Sequence, residues 1–188
     1  QNRTVKIIDF DNIENNDFIV TNQFKVAGLK ENIVPDIILF VNGLPLAVIE
    51  CKSPYITNPM EAGINQLFRY CNTRRPDEKE GAEKLFHYNQ IIVSTHNKHA
   101  RLGTITSRYE HYLEWKDVYP RKIEDYKNKS SQEILIDGIF NHQNFLDIIQ
   151  NFIVFEVENG KLIKKITRYQ QFRAVHKTIN NIKTGKSK

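Results

Sequence analysis

The segment at residues 34–54, VPDIILFVNGLPLAVIECKSP, constrains the fold of this chain more than any other. Two runs of aliphatic and aromatic residues flank an Asn-Gly pair, and because that pair accepts positive φ angles, the pattern predicts an antiparallel β-hairpin. Asp36 lies where the first strand begins, whereas Glu50 and Lys52 lie where the second strand ends. The hairpin therefore brings two carboxylates and one ammonium group to the same end of an otherwise apolar element.

The alternation of side chains along each strand restricts how the two strands of this hairpin can pair. Directly opposite residues of an antiparallel pair share a face of the sheet, and each step along a strand reverses that face. With a regular two-residue loop and no irregularity, Asp36 would lie opposite Ile49. Glu50 and Lys52 would then point to the other face, and the three polar groups could not meet.

The sequence also predicts where the required irregularity lies. An odd-numbered loop or a one-residue bulge between Val41 and Leu46 restores the parity. Gly43 is the favoured position, because a three-residue connection that ends in a glycine with positive φ is common in hairpins. Pro45 has no N–H group and further disturbs regular pairing.

The three polar residues suit a metal site. Two converging carboxylates repel each other unless a cation lies between them, and oxygen ligands favour a hard divalent ion. We predict that Asp36 and Glu50 bind Mg²⁺, for which Mn²⁺ substitutes, with water and substrate phosphate as further ligands. Lys52 lies on the same face, where its ammonium can orient or help deprotonate an attacking water, or stabilise transition-state charge. Cys51 points the opposite way, and we expect Cys51 and Cys71 to be buried thiols.

The charge balance favours a polyanionic ligand. The chain has 27 Lys and Arg against 22 Asp and Glu, which gives a net charge of +5 and a pI of about 9.1. A basic protein of this kind attracts nucleic acid, although basic runs also occur as solvated helix faces. The sequence contains neither a membrane-length apolar run nor a signal peptide, and we expect a cytoplasmic protein without membrane contact.

The remaining patterns predict an α/β protein with a mixed β-sheet flanked by helices. The helix that follows the hairpin has Asn58 as its N-cap and Pro59 at its first position. An Asn-Gly pair at 159–160 indicates a second hairpin. Residues 107–118 are predicted to form either a strand or an irregular connection. The predicted strands cover 17–28 and 87–96, the predicted helices cover 58–72, 130–140, 141–152 and 168–183, and the second hairpin covers 152–167.

Two short motifs carry a resemblance to known nucleases. Pro35-Asp36, followed by Glu50-x-Lys52, resembles the signature of the PD-(D/E)xK nucleases, which implies a restriction-endonuclease-like core. Gln66 and Tyr70 lie four residues apart on the next helix and resemble the QxxxY element of the RecB-like branch. A polar rim on an amphipathic helix is the alternative interpretation of that pair. The resulting catalytic set is Asp36, Glu50, Lys52, Gln66 and Tyr70.

The order of several segments narrows this resemblance. Residues 18–119 are similar to the amino-terminal nuclease region of the restriction (motor) subunit of type I restriction-modification enzymes. The resemblance implies a type I site-specific deoxyribonuclease that cleaves double-stranded DNA with Mg²⁺ and works with specificity and methylation subunits. In RYQQFRAV it implies that Gln171, in preference to Gln170, reads the adenine of ATP.

The same resemblance suggests how the chain is divided. We expect a nuclease core at residues 1–120, and a helical linker, a β-hairpin and the start of an ATPase motor region at residues 121–188. The chain ends where the motor begins in the family, so we expect a nuclease fragment that depends on ATP only through the motor. The terminal TGKSK is not a phosphate-binding loop, because Asn180 occupies the position of the required glycine.

Other polar and aromatic residues leave alternatives open. Family members can carry an acidic residue ahead of the hairpin, and the candidates by position are Glu14, Asp11 and Asp9, in a segment typical of a loop. His96 and His99, near Lys98 and Arg101, are interpreted either as exposed loop residues or as phosphate contacts at the rim of a cleft. Tyr112 and Trp115 are expected to be half-buried packing aromatics, with stacking on an unpaired base as the alternative.

Three classes of function therefore compete. The favoured one is a Mg²⁺-dependent DNA endonuclease in which Gln66 and Tyr70 position the site or the DNA backbone. The second is a DNA-binding or structural module with a nuclease fold that is inactive in isolation. The third is a metal hydrolase that acts on small phosphates. The complete Asp, Glu and Lys set favours the first class over the second, and the basic charge disfavours the third.

Overall fold

The computed structural model describes residues 5–185, and within them a five-stranded mixed sheet forms the centre of the fold. Strands β3 (Leu44–Lys52) and β4 (Ile91–His96) are parallel, and the other neighbouring pairs are antiparallel. Helix α1 (Pro59–Tyr70) connects the parallel pair. This arrangement confirms the predicted α/β class with a mixed sheet flanked by helices. The strands follow one another across the sheet in the order β1 (Phe18–Asn22), β2 (Ile37–Val41), β3 (Leu44–Lys52), β4 (Ile91–His96) and β5 (His99–Gly103).

The second half of the chain adds three helices and a separate two-stranded sheet. All of these elements agree with the helices and the hairpin that the sequence pattern predicts. Short 3-10 helices lie in the connecting segments. The elements are α2 (Ser131–Ile139), α3 (His142–Asn151), β6 (Ile153–Glu158), β7 (Lys161–Ile166) and α4 (Tyr169–Lys183).

The sheet is covered on both faces because its apolar side chains alternate between them. On one face α1 buries Ile64 and Leu67 against Ile38, Val48 and Ile92. The opposite face packs against residues of α2, α3 and α4, and its buried cluster contains Ile49, Val93, Trp115, Leu135, Ile139, Phe145 and Phe172. The predicted domain boundary at residue 120 stays a prediction, and the second cluster contains residues from both sides of it.

The β6–β7 hairpin is attached to the rest of the fold through Lys164. This side chain is buried, and its Nζ donates hydrogen bonds to Asn89 O at 2.6 Å and to Gln90 Oε1 at 3.0 Å. The hydroxyl groups of Thr104 and Thr106 donate to the carbonyl oxygen of Lys164. Burial lowers the pKa of Lys164 to about 8. The contacts join β7 to the segment that enters β4.

The β2–β3 hairpin contains the irregularity that the site requires. Val41 lies opposite Leu44 across a two-residue loop. Both loop residues have positive φ angles, 50° and 80°. The register then shifts by one residue between Leu39 and Phe40, and Leu46 is the extra residue on β3. A one-residue bulge is therefore present between residues 41 and 46, as predicted.

The position of the bulge differs from the favoured one. The expected three-residue connection at Gly43 is wrong, because Asn42 itself adopts a positive φ and the loop closes with two residues. The register change comes after Pro45 instead. From there Ile37 lies opposite Ile49. One step further along the same register, Asp36 faces Glu50.

Several local predictions need correction. Cys51 is exposed and not buried, and it borders a recess of about 60 Å³ beside α2. Cys71 is half-buried. Tyr112 and Trp115 are fully buried, and this burial removes the alternative of base stacking. Asn58 precedes α1, but its side chain makes no capping hydrogen bond.

The expectation of an exposed loop residue is wrong for His99, which begins β5 and belongs to a strand. His96 ends β4, within the strand predicted at residues 87–96. Asn97 makes the tight turn possible with a φ of 48°. Residues 107–118 form an irregular connection, in which a single bridge joins Leu102 to Leu113.

Candidate active site

Two strands bring the predicted residues to one edge of the sheet. Asp36 lies just before β2, and Glu50 and Lys52 are at the end of β3. The bulge places Asp36 and Glu50 opposite each other, and Lys52, two residues on, shares the face of Glu50. The structure therefore brings together all three residues of the PD-(D/E)xK pattern.

The Asp36 carboxylate is fixed by two hydrogen bonds. Its Oδ2 accepts from the backbone N–H of Cys51 at 2.7 Å, and its Oδ1 accepts from Gln23 Nε2 at 2.7 Å. Each oxygen keeps lone-pair capacity beyond these bonds. Asp36 is thus oriented at the edge of the sheet and remains able to bind a cation.

Glu50 is the most unusual group in the site. Its residue is 1% exposed. Its Oε1 accepts a hydrogen bond from Lys52 Nζ at 2.5 Å, whereas its buried Oε2 has no hydrogen-bond partner among residues 5–185. Burial raises the pKa of Glu50 to about 7; Lys52 opposes this shift, and the negative charge of Asp36 adds to it.

A continuous set of hydrogen bonds connects this strand to α1. Lys52 Nζ also donates to Gln66 Oε1 at 2.6 Å, and Gln66 Nε2 donates to the hydroxyl of Tyr70 at 2.5 Å. The Tyr70 hydroxyl in turn donates to the carbonyl oxygen of Val34 at 3.2 Å. Burial raises the pKa of Tyr70, which keeps the phenol protonated. Gln66 and Tyr70 therefore lie inside the site and not on an outer rim of the helix.

The close approach of α1 to the sheet depends on Gly63. A Cβ atom at this position would lie 2.2 Å from Ser94 Oγ and 3.3 Å from Lys52 Cγ. Ser94 is the register partner of Glu50, and its hydroxyl donates to the carbonyl oxygen of Met60 at 3.2 Å. Sequence reasoning missed Gly63 and Ser94. The available signal was a glycine inside the helix that follows the strand with Glu50 and Lys52.

The upstream acidic candidates do not lie at this edge. Asp9 accepts hydrogen bonds from Asn15 and from the backbone of Asn12, and its own backbone bonds Asn16. Asn16 in turn contacts the side chain of Asn42 in the hairpin loop. This loop lies at the other end of β3, roughly 20 Å from Glu50.

Asp11 and Glu14 belong to the same segment. Asp11 pairs with Lys6, and Glu14 lies in a 3-10 helix at residues 13–15. The structure therefore does not bring either of them together with Asp36. Within the described residues, no group of three or more His, Cys, Asp or Glu could hold a metal ion.

Gln171 lies far from these residues along the chain, on the first turn of α4. Its Oε1 accepts from the backbone N–H of Arg168 at 3.0 Å and caps the helix. The residue borders a groove of about 740 Å³ between α4 and the β6–β7 hairpin. Its expected contact with adenine stays a prediction.

A search of residues 5–185 for a membrane-spanning segment gives a negative result: none of their helices is both long and apolar enough to cross a bilayer.

A family model and two related proteins all point to the same group of proteins. Residues 1–111 match a family model described as "Type I restriction enzyme R protein N terminus". The chain is 34% identical over 186 residues to the type I restriction enzyme HindI endonuclease subunit of Haemophilus influenzae, covering 94% of this chain and 16% of that protein. It is 30% identical over 207 residues to a Methanocaldococcus jannaschii protein with the provisional name type I restriction enzyme MjaIXP endonuclease subunit, covering 98% of this chain and 19% of that protein. The chain thus spans less than a fifth of the length of these relatives.

Proposed function

This chain belongs to the family of type I restriction enzyme R protein N termini, and we propose that it is a Mg²⁺-dependent DNA endonuclease region that hydrolyses phosphodiester bonds. The family expected from residues 18–119 is thereby confirmed, whereas the chemistry is our proposal. One observation carries it: the buried Glu50 has an unpartnered carboxylate oxygen on the face that it shares with Asp36 and Lys52.

The residues present fit a divalent cation. An unpartnered oxygen of a buried carboxylate is costly, and a hard cation removes that cost. Asp36 and Glu50 would hold the ion, and its remaining positions would be left to water and to oxygen atoms of the substrate. When bound, Mg²⁺, or Mn²⁺ in its place, neutralises charge that develops on the phosphate during hydrolysis.

The protein side chains have separate tasks in this proposal. The Lys52 ammonium has three N–H groups, of which two are directed to Glu50 and Gln66. The third is available to the attacking water or to a phosphate oxygen. Gln66 and Tyr70 are positioning residues. The amide oxygen of Gln66 accepts a hydrogen bond from Lys52, and the Tyr70 hydroxyl accepts one from the Gln66 amide nitrogen. Neither residue needs to contact DNA.

The activity of a whole restriction enzyme goes beyond this chain. The relatives are named as endonuclease subunits of type I restriction enzymes. We propose by analogy that double-stranded DNA is the substrate, that specificity and methylation subunits are partners, and that ATP acts through a motor region. In that setting Gln171, whose Nε2 is not used in the helix cap, would contact adenine.

A plasmid-nicking assay tests the proposed chemistry. We expect the chain to convert supercoiled plasmid to nicked plasmid with Mg²⁺ or Mn²⁺, and Asp36→Ala or Lys52→Ala to lower the rate at least 100-fold with DNA binding retained. The double variant should be no slower than either single variant, because the residues act as one unit.

The control is Asp77→Ala, which removes an exposed carboxylate in a surface 3-10 helix at residues 76–78. This variant should cleave at the wild-type rate. Near-normal cleavage by Lys52→Ala would overturn the assignment. DNA binding by a wild-type chain that does not nick with either metal would favour the inactive DNA-binding module.

A further inference from the structure

A second pocket opens beside the candidate active site, at the outer edge of the five-stranded sheet. Its volume is about 290 Å³. His96 contributes to its lining from the end of β4, and His99 and Arg101 contribute from β5. Met60 of α1 borders it on the side of the active site. None of these residues belongs to the PD-(D/E)xK pattern.

The register of the sheet turns these side chains toward the face of Lys52. His96 is the partner of Lys52 in the parallel β3–β4 pair, and His99 is the partner of His96 in the antiparallel β4–β5 pair. Arg101 is the partner of Ser94, whose hydroxyl contacts α1. Since register partners share a face, Lys52, His96 and His99 form one row across three neighbouring strands.

The chemistry of the pocket favours an anion with several oxygen atoms. The Nδ1 atom of His96 is buried and has no hydrogen-bond partner within the described residues. Arg101 is exposed, and no carboxylate of residues 5–185 forms an ion pair with it. The acidic residue that also lines the pocket, Glu114, already forms an ion pair with Lys116 at 3.1 Å. The pocket therefore offers hydrogen-bond donors and one uncompensated positive charge.

The spacing matches a nucleic acid strand. Neighbouring strands lie about 4.8 Å apart, so β5 lies roughly 10 Å from β3. Along one DNA strand the rise is about 3.4 Å per nucleotide. That rise is measured along the helix axis, and successive phosphates lie further apart because the strand winds around the axis. A strand whose scissile phosphate lies at Lys52 would thus bring a phosphate one or two nucleotides away to β5.

We propose that His96, His99 and Arg101 bind a DNA backbone phosphate close to the phosphate that is cleaved. This inference rests on the proposed endonuclease function and adds a positioning contact to it. A phosphate contact of this kind fixes the strand relative to Lys52 without reading its sequence. The pocket accounts for two histidines and an arginine that the hydrolytic step does not use.

The test measures DNA binding separately from cleavage. Fluorescence anisotropy of a labelled 20-base-pair duplex, in EDTA so that no cleavage occurs, gives the affinity at several salt concentrations. For Arg101→Gln we expect the slope of log K against log salt to become less negative by about 0.9, the value for one lost phosphate contact. At 0.1 M salt this corresponds to an affinity about eightfold lower.

Two further variants sharpen the result. Lys84→Gln is the matched control, because it removes one positive charge from an exposed residue ahead of β4, at the opposite end of that strand from His96. It should match the wild type in slope and affinity. Burial and the neighbouring His99 lower the pKa of His96, which keeps it uncharged at pH 8. His96→Ala should therefore weaken binding several-fold without a change of slope.

The outcomes separate this inference from the proposed function. If Arg101→Gln has the slope and affinity of Lys84→Gln while the wild-type chain cleaves DNA, the phosphate pocket is wrong and the endonuclease stands. If the slope changes as expected but the wild-type chain does not cleave with Mg²⁺ or Mn²⁺, the pocket is supported and the proposed hydrolysis is wrong.

Discussion

At the scale of single residues, Glu50 shows how burial in the fold disfavours a negative charge. Its carboxylate is removed from water, and one hydrogen bond from Lys52 satisfies only one of its two oxygens. A buried carboxylate that is incompletely paired resists ionisation. Glu50 therefore holds its proton up to neutral pH in the chain alone, and a cation is the natural compensation for its ionised form.

This property predicts how stability depends on pH. The pKa of Glu50 is about 7 in the folded chain, above its ordinary value of 4.5. The stabilisation that comes from the proton is fully present below about pH 4.5 and is lost as the pH rises to about 7. Glu50→Gln should avoid this loss. The free energy of unfolding of the metal-free variant should therefore exceed that of the wild type by up to about 3 kcal/mol at pH 8 and by much less at pH 4.5.

Urea unfolding in EDTA at the two pH values measures the effect. Glu83→Gln, which changes an exposed glutamate, serves as the control and should show no such dependence. A stability difference between Glu50→Gln and wild type that is the same at pH 4.5 and pH 8 would contradict the prediction.

At the scale of elements, the site depends on how closely α1 approaches the sheet. Gly63 faces Ser94 and the aliphatic part of Lys52, and a larger residue fits only if the Ser94 hydroxyl rotates away or the helix moves. The same helix carries Gln66 to within 2.6 Å of the Lys52 ammonium. The packing of α1 and the position of Gln66 beside Lys52 thus depend on the same close approach.

We expect Gly63→Ala to disturb both properties. Overpacking of this kind costs about 1 to 3 kcal/mol, and the displaced helix should separate Gln66 from Lys52. Removal of the opposing hydroxyl in Gly63→Ala/Ser94→Ala should restore part of the stability and of the cleavage rate. A double-mutant cycle in urea, together with nicking rates, measures the coupling. Additive effects of the two substitutions would show that the contact is not limiting.

Sequence alone predicted most of the elements and the meeting of Asp36, Glu50 and Lys52 at one end of the hairpin, because strand alternation and hairpin chemistry are local signals. The catalytic roles of these residues stay a prediction. It predicted a bulge from parity, but it placed the irregularity at Gly43, because glycine is the usual residue there. It did not predict β5 as a strand or the exposure of Cys51. Both depend on which other elements lie beside them, and a single segment does not contain that information.

At the scale of the whole molecule, α4 and the sheet are joined by an aromatic cluster. Phe172 of α4 packs against Trp115 at a ring-centroid distance of 5.8 Å and against Phe152 at 4.9 Å. Beside this cluster, Arg173 forms an ion pair of 3.0 Å with the buried Asp117. The carboxy-terminal helix thus contributes to the same buried cluster as β3 and β4.

This packing predicts a single cooperative unfolding transition. Trp115 is the only tryptophan of the sequence, so its fluorescence reports on the cluster. Urea curves from fluorescence and from far-UV circular dichroism should coincide, and Phe172→Ala should destabilise the chain by about 3 to 5 kcal/mol. Val175→Ala, at an exposed position on the same helix, should cost less than about 1 kcal/mol. Two separate transitions would indicate that residues 121–188 unfold independently.

The bulge at Leu46 determines which residues of β3 share a face with those of β2, because side chains along a strand alternate with a period of two. A substitution on β3 changes one side chain. The gain or loss of one residue between the loop and Glu50 would move every later side chain of β3 to the other face of the sheet. The apolar residues would then face the wrong layer, and Glu50 and Lys52 would point to the face opposite Asp36. A gain of two residues would leave these side chains on their original face. Whether this short segment has an odd or an even number of residues therefore matters to the candidate active site as much as the residues that bear its charges.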